Sequence, residues 1–280
     1  MLALNKPTVL FLMNAGAVAF DAEAASQRGP DAPLAIIEAF YPGVRGGEAL
    51  AEGIFGDMNQ WGRLPYTIYP HTFSDEAAMS MHDLRVAPGR TYRYYEAPLF
   101  PFGAGLSLTS WSLSGAAPAC LAALPAAAAA SAPACNVTVT VANTGAMAGD
   151  CVVLAYSNLK LSAAQWRARR ERGGATLPPT VTADDLLAPM RELFDFTRVK
   201  DVAPGTSVDV TFEVSSKVLA VVDEVSGDIV ATAGTYDLFF DSGAGFMSKP
   251  SPLAAPKALL TLRAAVTGDS TIVTPFPSQV

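Results

Sequence analysis

The chain has 280 residues, 50% of them hydrophobic and 16% charged, with a formal net charge of −7 and an isoelectric point near 4.8. An acidic chain repels phosphate, which excludes a nucleic-acid partner, and a low charged fraction excludes disorder driven by charge. No run of about 18 uninterrupted apolar residues exists, so no membrane-spanning helix is predicted, while the length leaves room for two domains with cores of their own.

The first twenty residues admit two readings. Lys6 followed by an apolar run and small residues resembles a short secretion signal. However, Pro7 and Asn14 bracket a run of only Thr8–Met13, the length of one buried strand, and the strand is the reading adopted. Ala32–Phe40 is a second apolar run, stopped by Tyr41-Pro42-Gly43. Gly46-Gly47 then opens a short helix, Glu48–Phe55, with Leu50, Ile54 and Phe55 on one face and Gly56-Asp57 at its end. Leu64–Tyr69 is predicted as a third strand. Buried strands alternating with helix indicate an α/β layered domain. Gly43, Gly46 and Gly47 are read as turn glycines, free to take positive φ or to let backbone approach closely. The alternative is that the first helical turn binds an anionic or hydroxyl group.

Residues 115–134 form an Ala/Pro-rich linker behind the strand-like SLTSWSLSG. From Cys135 the hydrophobic period becomes two. Val137, Val139 and Val141 alternate with Thr138 and Thr140; Val208, Val210, Phe212 and Val214 alternate with Asp209, Thr211 and Glu213; Tyr236, Leu238 and Phe240 continue the pattern. Turn signals at Asn143-Thr144-Gly145, Pro204-Gly205 and Ser226-Gly227-Asp228 separate the runs. Several half-buried strands of this kind make an antiparallel sandwich. Residues 160–188 interrupt it as a long loop. Its basic cluster, Arg167, Arg169, Arg170 and Arg172, is read as solvated, an anionic partner being the rival reading. Asn136-Val137-Thr138 is an acceptor triplet for N-glycosylation. Cys120, Cys135 and Cys151 form no CxxC and have no His nearby, so no metal site is predicted.

Four glycine-marked strings, YPGVRGG, GRLPYT, PGRTYRYY and FPFGAGLS, occur in order across residues 41–107. They are followed by VANTGAMAGDCVVLAYS, APMRELFDFTRVKDVAPG and GTYDLFFDSG. The first four resemble the C-terminal part of the family 3 glycoside hydrolases, most closely the β-xylosidase branch. The last three resemble the fibronectin type III-like domain that closes many of those enzymes. The resemblance covers residues 5–245. It implies a partial (α/β)6-type sandwich over 1–106, a first strand and linker over 107–134, an all-β fibronectin type III-like, immunoglobulin-like sandwich over 135–270, and a tail over 271–280. It also implies an enzyme that removes β-linked terminal sugars (xylose, glucose or arabinose) from an oligosaccharide or polysaccharide such as xylan. That enzyme needs no cofactor and works outside the cell or in the secretory pathway. In the family the nucleophilic aspartate sits on an N-terminal barrel of about 250 residues. The acid/base glutamate precedes the segment matching Asn5–Ala17. Neither is placed in this chain, so no catalytic residue is assigned and no glycosidase activity is expected of the chain alone; a non-catalytic polysaccharide-binding or protein-docking module is the rival reading. Related plant xylosidases carry cysteines near Cys120 and Cys135, which makes a disulfide between them one reading and three buried thiols the other.

Retaining glycosidases use two carboxylates about 5–5.5 Å apart. Asp57, Asp75, Glu76, Asp83 and Glu96 are available here, and none falls at a catalytic position of the family. The substrate-contact candidates are Trp61, His82, Asp83, Arg90 and Tyr92. Trp61 replaces the Pro-Ser usual before GRLP, and an aromatic face there suits either sugar stacking or packing. His82-Asp83 suggests a proton shuttle, although neighbours on a strand point to opposite faces; a loop tied by Asp83 or Arg85 is preferred. Arg90 and Tyr92, on a predicted GRTYRYY strand, suit sugar hydroxyls and C–H faces, or equally a domain seam. In FPFGAGLSL, Ala104 and Leu108 stand where the family often has His and Tyr, which removes polar groups from that turn.

Overall fold

The computed structural model describes residues 6–19, 34–127, 133–160, 189–223, 226–243 and 259–276. Its C-terminal part is a two-sheet sandwich. One sheet has the order β3-β5-β8, from Trp111–Ser114, Cys135–Asn143 and Ser207–Val214. The other has the order β4-β12-β11-β6-β7, from Leu124–Pro125, Leu260–Thr267, Gly234–Asp241, Gly149–Lys160 and Glu192–Val202. Short strands β9 (Val221–Val222), β10 (Ile229–Ala231) and β13 (Thr271–Thr274) form a third, small sheet.

The period-two segments are the reason. On β5 the side chains of Val137, Val139 and Val141 are fully buried, while Asn136 and Thr138 face out. Phe212 of β8 meets Phe240 of β11 across the sheets at 5.2 Å between ring centroids. Burying each such side chain stabilises the fold by about 1.5–3 kcal/mol. Strands β6 and β11 are central and covered on both faces, so Tyr236, Leu238 and Phe240 fill the core while Asp237 and Asp241 are also buried on the other side.

The Ala/Pro-rich stretch is more than a linker. A 3-10 turn over Ala119–Ala123 and strand β4 place Leu121 and Leu124 in the core, and the Ala126 amide donates to the Thr267 carbonyl. Cys120 and Cys135 are joined by a disulfide across 15 residues of sequence. Closing a loop of that length restricts the unfolded chain by about 3 kcal/mol, so reduction is expected to lower the urea midpoint by that amount of stability, and Cys120→Ser to do the same. The tail expected from residue 271 is likewise a strand, β13, paired with β10.

The N-terminal part holds two parallel strands, β1 (Thr8–Leu12) and β2 (Leu34–Glu38), and one ten-residue helix, α1 (Gly46–Phe55). Short helical turns α2 (Phe73–Glu76) and α3 (Thr91–Tyr94) follow. Three expectations are corrected. Leu64–Tyr69 forms no strand; Ile68 and Phe100 make an isolated bridge, because Pro65 has no N–H to extend a ladder. GRTYRYY is not a strand either: Thr91, at φ 60°, opens the turn α3, closed by the Tyr95 amide on the Thr91 carbonyl. On the apolar face of α1, Ile54 and Phe55 are exposed, while Gly53 is buried. Gly43, Gly46 and Gly47 are absent from the positive-φ positions; Gly46 serves close approach, since a Cβ there would lie 2.5 Å from Pro42 Cβ. Residues 167–172, with the arginine cluster, lie outside the described residues. Among the described residues no helix is long and apolar enough to cross a membrane.

Candidate functional site

The sequence candidates do not converge on one cleft. Trp61 lies against α1, its ring so close to Gly53 that a Cβ there would sit 2.7 Å from it. It packs rather than standing free. His82 is exposed. Asp83 accepts two hydrogen bonds from the Arg85 guanidinium, at 2.8 and 2.6 Å, and one from the Arg85 amide. That ties the loop, as preferred. Arg90 donates to the Ala78 carbonyl and its amide to Leu84. Tyr92 accepts a hydrogen bond from the Leu193 amide of β7 at 3.2 Å and stacks on Phe102 at 4.6 Å. Asp57, Asp75, Glu76 and Glu96 are exposed, a setting that gives a carboxyl none of the burial an acid catalyst uses to stay protonated. Among the described residues no group of three or more His, Cys, Asp or Glu gathers to hold a metal.

At the C-terminal ends of β1 and β2, Asn14 donates to Glu38 at 3.4 Å. Tyr66 faces Glu38, and burial, followed by that carboxylate, pushes its phenol up to about 12. Phe40 meets the Tyr66 ring edge-on at 5.7 Å.

The dominant polar arrangement is a seam between the strings of residues 59–105 and the outer face of the five-stranded sheet. Arg63, of GRLP, donates Nε–H to the Ser242 carbonyl and Nη1–H to the Gly62 carbonyl. Two glycines, Gly105 and Gly243, make room for it. A Cβ on Gly105 would lie 2.9 Å from Arg63 Cδ, and one on Gly243 would lie 2.5 Å from it; Gly103 offers the carbonyl that the Gly243 Cβ would strike. Gly103 and Gly243 also hold φ values of 83° and 81°, which only glycine takes without strain. Burial pushes the Arg63 pKa down, against the charges of Cys151 and Asp241.

Around this pin, three further contacts cross the seam. Asn59 accepts from the Ser107 hydroxyl and the Leu108 amide through its side chain, while its carbonyl accepts from the Asp150 amide. Asp150, buried, accepts from Arg198 Nε at 2.7 Å, and Arg198 in turn donates to the Gln60 carbonyl. Arg93 pairs with Glu192 at 2.8 Å, and its carbonyl accepts from the Met190 amide. Beneath them the Arg191 guanidinium lies 5.0 Å over the Tyr156 ring, next to Tyr92 and Phe102. Reading the sequence placed Tyr92 and Arg90 near a seam but missed Arg63, Asn59 and Asp150. GRLP was noted as a string, yet nothing local marks its arginine as buried.

Cys151 is fully buried behind Arg63. Burial pushes its thiol from 9.0 up to about 12, Asp241 adding to the shift and Arg63 opposing it. The unfolded chain therefore gives up this proton first. The stabilising effect is complete below about pH 9 and is lost as pH rises through the interval to about 12, by about 1.4 kcal/mol per pH unit. Urea midpoints are expected to fall above pH 9, and Cys151→Ala to flatten the fall between pH 9 and 10, before tyrosines titrate.

The profile of the glycosyl hydrolase family 3 C-terminal domain matches residues 1–108, and that of the fibronectin type III-like domain matches residues 180–243. A probable exo-1,4-β-xylosidase of Aspergillus fumigatus is 32% identical over 255 residues, 87% of this chain and 29% of that protein. The probable β-D-xylosidase 6 of Arabidopsis thaliana is 44% identical over 112 residues, 38% of this chain and 14% of that one. Among solved structures, a family 3 exo-β-xylosidase superimposes with a TM-score of 0.72 at 24% identity, over 99% of this chain and 33% of its own. A Bifidobacterium adolescentis family 3 β-glucosidase gives 0.64 at 22% identity, over 100% and 36%. The structural likenesses concern the fold, and the chain spans less than a third of the length of these curated relatives.

Proposed function

Because this chain belongs to the family 3 glycoside hydrolases, as their C-terminal region with a fibronectin type III-like domain, we propose that it is the scaffold portion of a retaining, exo-acting β-glycosidase of β-xylosidase or β-glucosidase type. The observation that carries this reading is the 32% identity to an exo-1,4-β-xylosidase sustained over 87% of the chain. On this reading β1, β2 and α1 belong to an (α/β)6-type sandwich over residues 1–106, and the fibronectin-like domain runs from about residue 135. The nucleophilic and acid/base carboxylates lie on other parts of the enzyme. The substrate is a β-linked oligosaccharide or polysaccharide, xylan included, met in the secretory pathway or outside the cell. The seam supports a scaffold role: Asn59, Arg63 and Arg93 of the glycine-marked segments bond to the sandwich rather than line a cleft.

The expected result is that the purified chain does not hydrolyse an aryl β-xyloside or β-glucoside above the buffer rate. Retaining chemistry needs two carboxylates held about 5–5.5 Å apart in different protonation states, and the acidic candidates here are exposed or tied to arginine. Steady turnover that survives repurification would overturn the scaffold reading. The exposed apolar side chains of Val9, Leu10, Met13, Val44 and Phe55 in the N-terminal part favour a second reading, in which that part docks another polypeptide. Xylan binding without turnover would instead favour a polysaccharide-binding module.

A further inference from the structure

We infer that Asn136 is an N-glycosylation site, modified in an oxidising secretory compartment, and this inference does not depend on the glycosidase reading. Asn136-Val137-Thr138 is the one Asn-X-Ser/Thr triplet in the 280 residues. The strand around it settles its direction. Cys135, Val137 and Val139 fill the core, so Asn136 and Thr138 stand side by side on the outer face of β5, both exposed. Their partners across the ladder, Glu213 and Thr211 of β8, are exposed as well. So are Ser112 and Ser114 on the other flank. That face is polar and open, with room for a bulky, hydrated group. The seam lies on the outer face of the opposite sheet, where Tyr156 and Asp241 are buried, so a glycan on β5 does not compete with it.

A second observation is independent of the triplet. The residue directly before Asn136 is bonded to Cys120 as a disulfide, and disulfides persist in the oxidising compartments where oligosaccharide transfer occurs. In the transfer, the Asn136 carboxamide nitrogen attacks C1 of a lipid pyrophosphate-linked oligosaccharide. The N–C1 bond forms as the C1–O bond breaks, the electron pair leaves on the lipid pyrophosphate, and the nitrogen gives up one proton; nothing is oxidised or reduced.

The test is peptide mapping of the full chain from the cells that make it, digested with peptide-N-glycosidase in heavy-oxygen water. The expected result is a labelled aspartate in place of Asn136. When the chain is expressed behind a secretion signal, Asn136→Gln and Thr138→Ala should each lose one glycan from the intact mass, while Thr138→Ser keeps it. An unmodified Asn136 in the mapped protein overturns the inference, as does a glycan that survives Asn136→Gln.

Discussion

Replacing Arg63 with alanine is expected to lower the stability of the chain by about 3 kcal/mol, read as a shift in the urea midpoint. The guanidinium is the donor for two carbonyls, one in its own segment and one on the far side of the seam, at Ser242. Its removal leaves the Ser242 carbonyl without this donor and strips a positive charge from beside Asp241, which is 2% exposed. The two glycines that make room for the side chain, Gly105 and Gly243, would then line a void, and voids of this kind are not repaired by small shifts. Arg63→Lys is expected to recover only part of the loss, because a compact ammonium cannot reproduce the planar spread of Nε–H and Nη1–H that reaches the Ser242 and Gly62 carbonyls. If Arg63→Ala were as stable as the parent chain, the seam would be a contact of convenience.

Asn143→Ala is expected to cost about 4 kcal/mol, with a fall of about 10 °C in melting temperature. Asn143 is 1% exposed and makes four side-chain hydrogen bonds. Its amide nitrogen donates to the carbonyls of Met147 at 2.8 Å and Val202 at 2.9 Å, and its oxygen accepts from the Thr109 hydroxyl at 2.7 Å and the Gly145 amide at 3.1 Å. One side chain thus joins the start of β3, the β5–β6 turn and the end of β7. Alanine leaves buried groups unpaired at all three. Asn143→Asp is expected to be nearly as damaging, since a carboxylate accepts the two donors but offers nothing to the two carbonyls. Thermal unfolding followed by circular dichroism checks both variants.

How much of this was legible beforehand follows from the range of each interaction. The sandwich strands announce themselves because burial on one face of a strand imposes a period of two, and Val137, Val139 and Val141 obey it. The turn at Asn143 was visible as Asn-Thr-Gly, though not its four bonds. Helix α1 was found near its true bounds, but the apolar spacing of Leu50, Ile54 and Phe55 says which side is greasy, not whether anything covers it. The GRTYRYY segment has the composition of a strand, yet Tyr69 accepts from the Thr91 amide at 2.6 Å and Tyr92 reaches β7, and these tertiary bonds outweigh local preference. Most of the seam was invisible. Arg63 and Ser242 are 179 positions apart, and Arg198 and Gln60 are 138 apart; no pattern within a segment encodes such pairs. The FPFGAGLS string was readable as a turn, but the use of its Gly105 as space for an arginine emerges only once the chain is folded.

The account rests on the strings of residues 59–105 and the sandwich being one body joined at Arg63. Native-state hydrogen exchange of the full chain tests this directly. The amides of Leu64 and Gly103, bonded to the Ala104 and Leu64 carbonyls, should exchange as slowly as those of β6 at the sheet beneath them, and should lose protection together with it in Arg63→Ala. Exchange of Leu64 and Gly103 within seconds, while β5 and β6 stay protected, would show two independent bodies and contradict the account.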